Sequence, residues 1–133
     1  MKRNLLVTTA DENYIDAAKQ FFASAYFNSG WQGDYMLLSC GINEKKLQWF
    51  KDRGIFVKKC EPLAPVGYKN RWAASNINKI YLFQEEMKHW GKVLFFDADT
   101  IIRASLDGLL RVKSIVSTYP SLNRTKIREH IVK

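Results

Sequence analysis

Four short apolar runs, Asn4–Thr9 (NLLVTT), Asp34–Cys40 (DYMLLSC), Ile55–Lys58 and Val93–Phe96, alternate with stretches whose apolar residues recur at helical spacing. Continuous apolar runs of this length are the pattern of strands buried on both faces, as in a parallel sheet. Alternation of strand and helix requires crossover connections. The expected fold is therefore α/β: a Rossmann-like, mostly parallel sheet with helices on both faces. A chain of 133 residues, 47% apolar and 14% aromatic, can bury the core such a fold needs, as one domain or as a piece of a larger one.

After the first run, Ala10–Asn13 turns into a helix with Asp11 as its expected N-cap. Tyr14, Ala17, Ala18, Phe21, Phe22, Ala25 and Tyr26 fall on its apolar stripe, and Asn28-Ser29-Gly30 ends it. Asn43 caps a short helix through Lys51, with Leu47 and Phe50 facing inward and Gly54 closing it. Pro62, Pro65 and Gly67 make Cys60–Tyr68 a surface loop. A third helix is expected from about Ala74 to His89, with Ile77, Ile80, Tyr81, Gln84 and Met87 as its inner stripe. Ser105-Leu106-Asp107 opens a further helical turn, with a strand over Arg111–Tyr119 and a terminal helix over Ser121–Lys133. The first strand-to-helix turn carries no GxGxxG, which disfavours an ordinary dinucleotide fold.

The chemistry concentrates in Val93–Thr100, VLFFDADT, expected as the central strand. In an extended chain Asp97 and Asp99 leave the strand end on one side, roughly 7 Å apart. At an effective dielectric near 20 the two charges would repel by about 2–3 kcal/mol, so the pair invites a cation. Hard carboxylate oxygens with open positions suit Mg²⁺ or Mn²⁺ shared with a substrate phosphate. The competing reading is a solvated turn, because aspartate often terminates elements. Placement at the carboxyl end of a parallel sheet, where ligands bind in open α/β folds, favours the site.

Met1-Lys2-Arg3 is followed only by the short apolar run Leu5–Val7, so neither a signal peptide nor a membrane span is expected. Cys40 and Cys60 lie outside any CxxC pattern and read as reduced, half-buried thiols of a cytoplasmic protein. The net charge of +8 is uneven. Residues 1–110 hold 15 basic and 12 acidic side chains, whereas residues 111–133 hold six basic ones against Glu129 alone. That tail lacks interleaved aromatics or a recognition motif, which argues against a nucleic-acid partner and for a solvated face.

Three segments together, LLVTTADENYIDAA, NINKIYLFQ and VLFFDADTIIRASLDGLL, resemble the N-terminal nucleotide-binding half of a GT-A glycosyltransferase. The similarity is to glycosyltransferase family 8, the glycogenin and galactinol synthase group, and it runs from about Asn4 to Leu110. It implies a UDP-sugar donor, an acceptor that is a sugar or a protein, and transfer that retains the anomeric configuration. By position, Asp97 and Asp99 match the D-x-D that holds Mn²⁺ or Mg²⁺ on the donor diphosphate. Thr8, Thr9 and Ala10 match the strand end that meets uracil and ribose, and Tyr14 matches the aromatic that stacks on uracil. Lys79 matches a basic residue reaching the donor sugar and phosphates, with Arg71 as its companion, and Ala98 matches a backbone contact to ribose.

The resemblance implies a chain divided into a nucleotide-sugar-binding part, 1–110, and a basic segment, 111–133, off the family pattern. The family's second half carries the acceptor site and a motif of the form HxxGxxKPW, and neither has a counterpart here. A truncated sheet with an open edge is expected to favour self-association. Two functions follow: a metal-dependent hexosyltransferase or its donor-binding half, and a non-catalytic remnant that binds nucleotide or a partner.

Overall fold

The computed structural model describes residues 1–61, 63, 69 and 78–114. Its frame is a four-stranded sheet of β1 (Leu5–Ala10), β2 (Asp34–Ser39), β3 (Phe56–Lys59) and β4 (Val93–Phe95), in the order β3-β2-β1-β4 and parallel throughout. The expected α/β class is what the chain adopts. Two α-helices, α1 (Ile15–Asn28) and α2 (Glu44–Lys51), supply the crossovers from β1 to β2 and from β2 to β3.

Alternation along β1 divides its side chains between two cores. Leu6 and Ala10 join Ala18, Phe21, Phe22 and Ala25 of α1 and Leu47 and Phe50 of α2. Leu5 and Val7 face the other way, with Met36, Leu38, Tyr81 and Met87. Both faces of the sheet are thus covered, and β1 and β2 run through the middle.

The local signals explain the boundaries. Asp11 accepts a hydrogen bond from Asn13 N–H and starts a 3₁₀ turn, Glu12–Tyr14, that leads into α1. Asn43 does the same for Lys45 N–H at the head of α2. Gly54, at φ +71°, turns the chain out of α2 in the left-handed region that disfavours other residues. Gly33 meets a closer constraint: a Cβ there would lie 2.3 Å from Asn4 O.

Several expectations are corrected. β4 is the margin of the described sheet, pairing with β1 alone among the described residues, and its three residues are only partly buried. It ends at Phe95, and the two aspartates lie in a turn, with Thr100 N–H donating to Asp97 O (3.0 Å). The extended-strand geometry assumed for the pair does not apply.

The described part of the expected third helix is two 3₁₀ segments, Asn78–Phe83 and Glu85–His89, broken by an extended Gln84. With three residues per turn, Asn78 and Tyr81 come to one side of the first segment, and both are buried, as is Met87 in the second. Ile80, placed inward by a 3.6-residue period, is exposed instead, as is Gln84. Tyr14 and Tyr26 also leave the α1 stripe for solvent, and Ile15 takes the buried place at the helix start. Asp107–Arg111 forms the expected helical turn, again as 3₁₀. The rest of the expected strand over Arg111–Tyr119 and the terminal helix lie outside the described residues, apart from Arg111–Ser114, which form no strand.

Candidate functional site

The carboxyl ends of β1 and β4 meet at one corner of the sheet. Phe96 N–H donates to Val7 O (3.1 Å), and Thr8 Oγ1 donates back to Phe96 O (2.8 Å). This buried hydroxyl clamps the residue immediately before Asp97. Ala98, 6% exposed, packs its methyl group into the core shared with α1. Anchored on both sides in this way, the turn presents Asp97 and Asp99 outward, and both are exposed. After the turn, α1 holds the chain: Ser24 Oγ accepts from Ile102 N–H (2.9 Å), and Asn28 Nδ2 donates to Ile102 O (2.8 Å).

Lys79 arrives from the other side. Its Nζ lies 3.2 Å from Asp97 Oδ1 and 5.1 Å from the centre of the Phe95 ring. Two residues singled out from sequence, eighteen positions apart, are therefore in contact. Lys79 thus neutralises Asp97, while Asp99 forms no ion pair among the described residues. The two exposed carboxylates are hard oxygen donors of the kind that Mg²⁺ or Mn²⁺ takes together with substrate and water. Among the described residues, no group of three or more His, Cys, Asp or Glu side chains is placed to hold an ion without such help.

The other sequence candidates are placed as follows. Thr8 is fully buried and its hydroxyl serves the sheet. Thr9 Oγ1 donates to Leu38 O (3.2 Å) and meets Cys40 Sγ at 3.5 Å, while Ala10 O accepts from Cys40 N–H (2.9 Å). These groups tie β1 to β2. Tyr14, 51% exposed, stands at the end of the turn that follows Ala10. Arg71 lies outside the described residues.

Sequence reasoning passed over Asn78. It is buried beside Lys79, donates from Nδ2 to Cys40 Sγ (3.2 Å), and its Oδ1 has no partner among the described residues. Nothing in periodicity marks an asparagine at such a position. The only available signal was its place next to a candidate lysine.

No family model matches the chain, and no curated protein matches it. Among solved structures the chain is similar to the bifunctional glycosyltransferase WbbM in its apo form, with a TM-score of 0.59 and 17% identity over 84% of this chain. The matched part is 21% of the WbbM chain. At this identity the likeness is one of fold. This chain shares the α/β fold of a segment of a glycosyltransferase.

Proposed function

We propose that this chain is the donor-binding part of a glycosyltransferase that takes a UDP-sugar with a divalent metal, Mn²⁺ or Mg²⁺. The observation that carries the reading is the corner itself: two outward carboxylates at the carboxyl ends of parallel strands, one of them 3.2 Å from a lysine ammonium. Similarity of fold to a segment of a glycosyltransferase supports it, as does the sequence resemblance to family 8 and the GT-A type.

Asp97 and Asp99 would hold the metal, which when bound supplies charge neutralisation to the leaving diphosphate. Lys79, displaced from Asp97, would turn its Nζ to the same phosphates and stabilise the charge that develops there. The exposed Tyr14 ring offers a face for the base. Thr8 acts indirectly, holding Phe96 and therefore the aspartate turn in place. A hexose as the transferred sugar follows from the resemblance alone.

Calorimetric titration of UDP into the protein, with Mn²⁺ and then with EDTA, tests the reading. Binding that needs Mn²⁺ and falls at least tenfold in Asp99→Ala is expected. Absence of binding by the folded wild-type chain in both buffers would sink it, leaving a remnant without donor affinity.

A further inference from the structure

We propose that Cys40 and Cys60 are a redox pair that closes to a reversible intramolecular disulfide at the edge of the candidate donor site. The β2–β3 register runs to Ser39 against Lys59. Cys60 N–H donates to Ser39 O (2.9 Å), the bond that closes this last pair of the parallel ladder. Cys40 and Cys60 are the next residue of each strand past that pair, Cys60 in the core with Tyr81 and Met87 and Cys40 packed against it. Neighbouring parallel strands lie about 4.8 Å apart, inside the roughly 4.4–6.8 Å between Cα atoms that a disulfide spans. A disulfide requires the Cβ atoms at about 3.8 Å, and both cysteines lie just past the ends of their strands, outside the paired register.

The two thiols differ in a way that assigns their order of reaction. Cys40 is half-buried, so a reagent in solvent reaches its sulfur first, and that sulfur accepts a hydrogen bond from Asn78 Nδ2 (3.2 Å). Cys60 is buried, and burial together with neighbouring Cys40 pushes its thiol up to about 11. Cys40 is the attacking group and Cys60 the resolving one. The Cys40 thiolate attacks one sulfur of a small-molecule disulfide such as oxidised glutathione and releases one thiolate. Capture removes the charge on Cys40. Cys60 then gives its proton to solvent, attacks Cys40 Sγ and releases the second thiol. Two protein thiols are oxidised, and one disulfide is reduced.

Closure draws Cys40 Sγ toward Cys60, away from Thr9 Oγ1 and Asn78 Nδ2. Asn78 then loses its donor contact while Oδ1 already lacks a partner among the described residues. An unpaired buried amide is costly, so the Asn78–Phe83 segment loosens, and Lys79 with it. The effect on donor binding rests on the function proposed above; the disulfide and the loosening do not.

The full chain, equilibrated in a series of glutathione buffers and quenched with N-ethylmaleimide, would be examined by non-reducing peptide mapping and hydrogen exchange. Both thiols should disappear together in the monomer, with the Cys40 and Cys60 peptides linked. Exchange over Asn78–Phe83 should rise several-fold, and dithiothreitol should reverse both changes. Cys60→Ser should instead retain a stable glutathione on Cys40. Full alkylation of both cysteines at every poise, separate glutathione adducts on the wild type, or links only between molecules would overturn the pair. A linked pair with unchanged exchange would overturn the coupling. A disulfide that forms in a chain unable to bind UDP leaves this inference standing and removes only the donor reading.

Discussion

At the scale of single residues, the contact between Lys79 and Asp97 makes the two groups competitors as well as neighbours. The ammonium occupies an oxygen that a metal would need. With the side chains 36% and 65% exposed, the pair is worth no more than about 1 kcal/mol. Lys79→Gln is therefore expected to raise affinity for Mn²⁺ alone by a few-fold, as read by the paramagnetic resonance of free Mn²⁺. The same variant should weaken UDP binding in saturating Mn²⁺, because the phosphates lose a cation. A variant that weakened both would show that Lys79 only supports the local structure. Asp97 and Asp99 stood out in sequence as charges at the end of an apolar run, whereas Lys79 entered only through the family resemblance and its spacing to that pair. Asn78 did not stand out, since its part depends on a cysteine 38 positions away.

Among the elements, α2 shows how much one side chain can join. Glu44 opens the helix, pairs with Lys51 in its last turn and reaches Lys59 in β3. Hydrogen bonds from Lys51 and then Lys59 hold its carboxyl at about 2, below the ordinary 4.5. A carboxyl depressed on folding contributes stability that is present above 4.5 and fades as pH falls through about 2. Urea midpoints measured down that range should drop more for the wild type than for Glu44→Gln. The gap between the two should narrow as acid removes the charge, and a constant gap would count against these pairings. Helix caps and strand runs were readable here from Asn43, Gly54 and the apolar pattern. The Asn78–His89 stretch was not: helical spacing and three-residue spacing share Tyr81, and the burial of Asn78 with the exposure of Ile80 decides between them.

For the molecule as a whole, the parallel α/β plan followed from alternation alone, since four apolar runs separated by helical stretches leave few other arrangements. Strand order did not. The apolar run with the acidic end, Val93–Phe96, suggested a centre, yet among the described strands β1 and β2 hold that place and β4 the margin. Burial separates them, with Leu5, Leu6 and Val7 fully enclosed and all of β4 only partly so. Amide exchange should be about tenfold or more faster across Val93–Phe95 than across Leu5–Val7, because marginal strands open without global unfolding. Equal protection in the two strands would contradict this order.

The bond from Thr8 to Phe96 spans 88 positions of the chain. β1, α1, β2, α2 and β3 can assemble from near neighbours, whereas seating β4 must then close the stretch 60–92 between β3 and β4, at an entropic cost of about 3 kcal/mol. Docking of β4 is then a late event in folding and an early one in opening. The aspartate corner exists only while the loop is shut. A ligand that bridges Asp97 and Lys79 would act as a clasp on the last seam to close, so occupancy would govern how long the finished fold persists as well as what it binds.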